Sequence, residues 1–221
     1  DRLRITVQLI NAADGCHLWS ERFDRAAGDV FAIQDEIAQA VAGELRVKLM
    51  GDDEARLLKR HTRDTDAHDL YLKGRYLGSR RTPDAYAKAI SHFQQTLEKD
   101  PGFALAHAAL GECYALMAFL GWMAPHSAFP DAQAAARKAL DLDPALAEAH
   151  TVLGFAHTHY DWDWRGAESC FLRATGLSPS YASARCWYSL LLSILGRFDE
   201  AVQEVGRALD LDPLSLAVLT T

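Results

Sequence analysis

Surplus positive charge is what this sequence most plainly lacks. Its 221 residues carry 23 Lys and Arg against 30 Asp and Glu, a net charge of -7. General binding to phosphate backbones needs the opposite balance. A basic cluster at Arg56, Lys59, Arg60 and Arg63 is offset by Asp52, Asp53 and Glu54 beside it and reads as a solvated, mixed-charge face. Nucleic acid is therefore not an expected partner. Cysteine is also scarce. Cys16, Cys113, Cys170 and Cys186 form no C-x-x-C pair and no zinc-type spacing, so free thiols in a reducing compartment are expected. No apolar run approaches the roughly 20 residues that a bilayer span needs, and no membrane contact is expected. The chain opens at Asp1 with neither an initiator Met nor a signal peptide, so an upstream piece is expected, with the cytoplasm as default location. A G-x-S-x-G elbow, a phosphate loop and a kinase signature are all missing, so neither catalytic residues nor a cofactor are expected.

What is present is periodic. Hydrophobic residues make up 49% and charged residues 24%, an ordinary globular balance. Asp100-Pro101, Asp143-Pro144, Ser178-Pro179 and Asp212-Pro213 recur, with the prolines 43, 35 and 34 residues apart. Five positions before each proline stand Thr96, Ala139, Ala174 and Ala208; twelve before stand Ala89, Ala132, Ala167 and Ala201. One turn beyond the latter come Phe93, Ala136, Phe171 and Val205. That spacing puts an apolar pair on one face of a helix, with alanine where a partner helix crosses closely. The prolines end one helical hairpin and turn the chain into the next.

The helices before these carry His107-x-x-Leu110-Gly111-x-x-Tyr114 and His150-x-x-Leu153-Gly154. Gly74 and Ser189 hold the same small position in the first and fourth hairpins. This resembles the W-x-x-L-G-x-x-Y opening of the tetratricopeptide repeat family, with His for Trp. Gly196-Arg-Phe198-Asp-Glu200-Ala201 looks like that family's turn into its second helix. The resemblance covers residues 66–221, about four hairpins. It implies a mainly α fold, a tetratricopeptide-type superhelix of stacked helical hairpins. One hairpin cannot bury its apolar face alone, and stacking leaves a concave surface suited to binding. The turns vary. From small position to alanine the hairpins count 15, 21, 13 and 12 residues. An insert is therefore expected over residues 121–130, lengthening a turn and projecting from the array, with Trp122, Met123 and Phe129 covering a neighbouring helix or a partner.

The resemblance places the groove three before and one after each small position. These residues are Tyr71 and Arg75, Ala108 and Glu112, Thr151 and Phe155, Cys186 and Leu190. Members of the family that clamp a carboxylate line this surface with Lys, Arg and Asn, whereas small and apolar groups dominate here. An apolar or mixed protein or peptide, or another domain of the same polypeptide, is the implied partner. The competing expectation is that some of these side chains pack on neighbouring hairpins or on the N-terminal segment, an expectation of at least equal weight for Cys186 and Leu190.

Residues 1–49 differ. Ile5, Val7 and Leu9 alternate with Thr6 and Gln8 as in a half-buried strand, residues 11–15 read as a turn, and a second strand carries Trp19 and Phe23. From Asp29 as N-cap, Val30, Ile33, Ile37, Val41 and Leu45 recur at helical spacing. A lone hairpin is marginal in water, so an open edge along residues 4–10 is expected to favour a homodimer. Ile5-Thr-Val-Gln-Leu-Ile10 with Gly15-Cys-His-Leu-Trp19 is similar to the end of a small α/β domain in bacterial adenylate or guanylate cyclases, Ser/Thr kinases and winged-helix regulators. There it precedes a tetratricopeptide array. Residues 50–65 are expected to link the two parts.

One enzymatic alternative competes. His157, His159, Asp161 and Asp163 fall within seven residues and could suggest a metal site. Their alternate spacing scatters side chains around a helix, unlike the i, i+4 pair of a zinc helix. Trp162 and Trp164 beside them are expected to pack at the hairpin turn.

Overall fold

The computed structural model describes residues 2–10, 17–26, 30–44 and 61–213. The chain divides into two units, Asp1–Arg60 and His61–Thr221.

In the first unit, strands β1 (Arg2–Ile10) and β2 (His17–Ala26) pair antiparallel with Ile5 opposite Phe23 and Val7 opposite Glu21. The expected alternation holds: Ile5 and Val7 are half-buried while Thr6 and Gln8 are exposed. Helix α1 (Val30–Glu44) packs on β2, burying Ile33, and Phe23 of β2 is buried as well. Arg25 clamps Glu36 across the two elements with Nη2 2.6 Å from Oε1. The expected turn at residues 11–15, the N-cap Asp29, Cys16, Leu45 and residues 50–60 of the linker lie outside the described residues.

The second unit is a run of antiparallel helical hairpins: α2 (Thr65–Gly78) with α3 (Pro83–Lys99), α4 (Ala104–Phe119) with α5 (Pro125–Leu142), α6 (Ala147–Ala156) with α7 (Trp164–Leu177), and α8 (Ala182–Ile194) with α9 (Phe198–Leu211). First helices also touch one another, α2 on α4, α4 on α6 and α6 on α8, which is how stacked hairpins share one core. Among the described residues no strand falls between 84 and 211. Helices flank Pro101, Pro144 and Pro179; the residues after Pro213 lie outside the described ones.

Each periodic residue has a job. Thr96, Ala139, Ala174 and Ala208 are fully buried, and their carbonyls accept the last backbone N–H of the hairpin, from Asp100, Asp143, Ser178 and Asp212. Thr96 fits where the others are Ala because its hydroxyl donates to the His92 carbonyl at 2.8 Å. The Asp before proline folds the link: Asp100 Oδ1 accepts from Gly102 N, and Asp143 Oδ1 from Ala145 N. Six residues past Pro101, Pro144 and Pro179 a side chain then closes onto the proline's carbonyl. His107 and His150 do so at 3.0 and 3.1 Å, and the guanidinium of Arg185 donates to Pro179 at 3.1 Å. His in place of Trp thus ties one hairpin to the next.

The turn lengths take different forms. The first hairpin's extra residues form the turn 79–82, with Arg81 at a positive φ of 51° and Thr82 capping α3. The third hairpin's one-residue surplus over the fourth becomes a π-helical turn, His157–Asp161, closed by Trp162 at φ 60°. The 121–130 insert departs from expectation. Instead of projecting as a long loop, it extends α5 by helical turns from Pro125, and Pro130 lies inside that helix. Apolar burial drives this: Phe129 is buried and stacks on Tyr160 at 5.3 Å, Met123 joins the core, and Trp122 rests 5.9 Å from the Tyr86 ring.

Candidate functional site

The first helices of the hairpins line an inner face, and there the array leaves a cavity of about 420 Å³. Gly74, Arg75 and Gly78 of α2, Ser79 and Arg81 of the following turn, Tyr86 and Phe93 of α3, and Glu112, Cys113 and Leu116 of α4 contribute to its wall. Ser183 and Trp187 of α8, with Asp212 beyond α9, complete it.

Of the groove residues expected from sequence, two, Arg75 and Glu112, line this space. Arg75 Nη1 stands 4.0 Å from Glu112 Oε2, a loose ion pair open to solvent. That carboxylate holds the Arg75 guanidinium still more firmly protonated. Tyr71 lies between Phe93 and Phe103, with ring centroids at 5.8 and 4.9 Å, and burial pushes its phenol up. Ala108, Thr151 and Phe155 are buried and offer nothing to a partner. Thr151 returns its hydroxyl to the Ala147 carbonyl at 2.8 Å, and Phe155 packs on Phe119 and Trp187. Cys186 is likewise core, and Leu190 packs against that core.

The spacing rule missed Arg81, Tyr86 and Trp187 of the wall, and Glu148, whose charge acts on Arg75 from outside it. Glu148 sits in the first turn of α6, and burial raises its carboxyl above the usual range with Arg75 opposing. Tyr86 is buried on α3, and desolvation pushes its phenol up to about 12. Cys113 is buried too, so its thiol is pushed up and held protonated. The one available signal was the long first turn, since it delivers Arg81 to the cavity. Side chains from second helices and from a distant hairpin have no signature in the first-helix motif.

The His157 to Asp163 cluster does not converge. His157 Nδ1 lies 2.7 Å from Asp161 Oδ2, and the same oxygen accepts from Gln133 Nε2 of the preceding hairpin. His159 turns elsewhere, packed 4.7 Å from Phe119 and 4.3 Å from Phe155, and burial lowers its imidazole to about 4. Asp163 caps α7 by accepting from Gly166 N. Among the described residues no three His, Cys, Asp or Glu side chains group as a metal site. The expected packing of Trp162 and Trp164 is corrected as well. The left-handed residue that ends the π turn points its ring outward, leaving Trp162 73% and Trp164 41% exposed.

Comparison with known proteins agrees with this architecture. Residues 163–215, which hold α7 to α9, match the tetratricopeptide repeat family. A Rhizobium meliloti protein named as an adenylate cyclase, adenylate cyclase 3, is 39% identical over 110 residues, half of this chain and 19% of that protein. Transcriptional regulator HilA of Salmonella typhimurium is 30% identical over 152 residues, 69% of this chain and 27% of HilA. The chain thus spans well under a third of the length of the curated relatives it matches. TTC0263, a thermophilic tetratricopeptide protein of Thermus thermophilus, superposes with a TM-score of 0.58 at 18% identity, covering 86% of this chain and 95% of that structure. Repeat period, hairpin stacking and these likenesses agree: the chain carries a tetratricopeptide repeat region related to those of larger bacterial signalling proteins.

Proposed function

We propose that this chain is an interaction or sensory module of a bacterial signalling protein, and that it holds a protein or peptide partner, or another domain of the same polypeptide, on its inner face. The inner-face cavity carries the reading. Its Arg75 and Glu112 touch at only 4.0 Å, so either charge can be taken over by a partner at little cost. Apolar walls beside a few polar groups are what peptide and ligand sites share. Relatives named as a cyclase and as a transcriptional regulator point to a signal-processing context. No helix among the described residues is long and apolar enough to cross a membrane. The rival metal-enzyme reading loses its support in the divergent directions of His157, His159 and Asp163.

Photo-crosslinking tests the proposal in cells. Benzoylphenylalanine placed at Arg75 or Glu148, on the inner face, should yield one discrete adduct. The same probe at Leu172 or Arg173, on the outer side of α7, should yield none. Equal labelling from both faces, or none from either, refutes the assignment.

A further inference from the structure

We propose that the two ends of the helical array are complementary, and that a second copy of this chain docks head to tail, its α2 against α8 and α9 of the first. These ends are separate from the inner face, so the docking is independent of the partner held there.

The register of the repeat identifies the residues that join one hairpin to the next. Two before and two after each small position stand Leu72 and Tyr76, Ala109 and Cys113, Val152 and Ala156, Trp187 and Leu191. The last six are buried. They serve the preceding hairpin: Val152 Cγ1 lies 3.3 Å from a Cβ built on Gly111, and Trp187 packs on Phe155 with ring centroids 4.3 Å apart. In the first hairpin the same two positions face water, Leu72 being 49% and Tyr76 61% exposed.

The far end mirrors this. Fifteen before their prolines stand Tyr86, Phe129, Trp164 and Phe198; eleven before stand Ile90, Gln133, Glu168 and Val202. Several of these reach the following hairpin. Tyr86 meets Trp122, Phe129 stacks on Tyr160, Gln133 donates to Asp161, and Glu168 accepts from Tyr188 at 2.9 Å. Phe198 and Val202 are 65% and 72% exposed instead. Each end thus carries an apolar i, i+4 pair, whereas the outer face of a terminal repeat stays in water by being polar. The eight residues of this sequence after Pro213 do not reach Phe198, because Trp122 and Tyr160, which meet its counterparts, stand 21 and 16 positions after their prolines.

Charge selects the occupant. Residues 70–83 carry four cations, Lys73, Arg75, Arg80 and Arg81, and no acid; residues 198–212 carry five acids against Arg207 alone. Two α9 faces therefore repel each other, whereas α9 and α2 attract. In the register of the internal junctions, Leu72 of the second copy meets Leu190 as Trp187 meets Phe155. Arg80, which lies over the Tyr76 ring at 5.3 Å, takes the place of Tyr160 and meets Phe198, with Asp199 and Glu200 beside it. Such a contact is heterologous. It leaves one α2 and one α9 free, so it repeats into longer assemblies or closes as a ring.

Sedimentation velocity of the whole chain, with one population carrying fluorescein on its N-terminal amine, tests the docking. Leu72→Glu spoils one end and Val202→Glu the other, so a mixture of the two retains one intact junction. Labelled Leu72→Glu should pair with unlabelled Val202→Glu at least about tenfold more tightly than with unlabelled Leu72→Glu, while the parent grows beyond the pair. Pairing along β1 enters both mixtures alike, so the difference isolates the array ends. If either variant loses its helicity by circular dichroism, Tyr76→Glu and Phe198→Glu replace the two. Equal pairing in the two mixtures, or a parent that never associates, overturns the proposal. So does an association that survives Leu72→Glu and is lost in Val202→Glu, which would make α9 a self-pairing face.

Discussion

Alanine placed at the small position of a first helix should destabilise the array, whereas alanine at exposed helical glycines should stabilise it. A Cβ on Gly111 would stand 2.9 Å from the Ala132 carbonyl oxygen and 3.3 Å from Val152 Cγ1. Here α4 rides directly on the backbone of α5, and backbone cannot rotate away as a side chain can. Overpacking of this kind costs about 1–3 kcal/mol, and the upper half applies because two helices must separate. Helix propensity returns about 1 kcal/mol, which leaves Gly111→Ala about 1–2 kcal/mol less stable than the parent. Gly206 within α9 and Gly176 near the end of α7 have nothing within 4 Å of a built Cβ. Gly206→Ala should therefore gain about 0.5–1 kcal/mol, and Gly176→Ala less, since it lies in a last turn.

The other small positions add a size rule. A Cβ on Gly74 would lie 2.5 Å from Phe93 Cε1, and one on Gly154 3.0 Å from Phe171 Cε1. In both, a buried phenyl ring rests on the glycine. The fourth hairpin has Ser189 at this position, buried, and the residue facing it by register is Val205 rather than Phe. In the first, third and fourth hairpins the small residue and the residue one turn beyond the helix-crossing alanine thus trade volume. Gly154→Ser should cost about 2 kcal/mol, and part of that should return when Phe171→Val is added, a coupling that a double-mutant cycle isolates. Urea unfolding with constant m-value reads every variant. A Gly111→Ala protein as stable as the parent, or a Gly206→Ala protein less stable, would refute the contact geometry from which these signs follow.

Glu204, 11% exposed, binds Arg185 at 2.8 Å and also pairs with Arg207. Glu204→Gln should cost about 3 kcal/mol by stranding the buried guanidinium, while Asp24→Asn, at the exposed Arg4 pair, should cost under about 1 kcal/mol by the same denaturation assay. His159 is neutral in the fold, with its pKa lowered from 6.5 to about 4, so the unfolded chain binds the extra proton. Its contribution is whole above pH 6.5 and fades as pH falls toward 4, by about 2 kcal/mol after allowing for partial exposure; His159→Phe should flatten that slope in thermal melts taken against pH. Burial holds the Cys113 thiol protonated, so iodoacetamide at pH 8 should label it only on unfolding, as mass spectrometry will read. One edge of β1 meets no other strand among the described residues, so the chain should dimerise as concentration rises; light scattering that finds a monomer throughout would show the edge to be protected.

The repeat was legible because its marks are local. Asp-Pro links, the alanine at the helix crossing and the apolar residue one turn on each report a contact inside one hairpin, and sequence period preserves such contacts. Residue counts also located the irregular turns, but a count does not say how a surplus is spent. One extra residue became a π turn at His157–Asp161, whereas most of the 121–130 surplus became helix, because Phe129 gained a stacking partner in Tyr160 from the next hairpin. The groove was harder to read for the same reason. Positions beside the small residue identify side chains on one helix, yet Phe155 was taken into the core by Phe119 and Trp187, which lie on two neighbouring helices. The cavity instead collects residues from α2, α3, α4 and α8, and Arg81 reaches its wall from the turn that breaks the period. In a repeat array the fold resides in what recurs, so the residues that set one array apart are to be sought where the recurrence fails; Arg81, at positive φ in the turn 79–82, meets that condition.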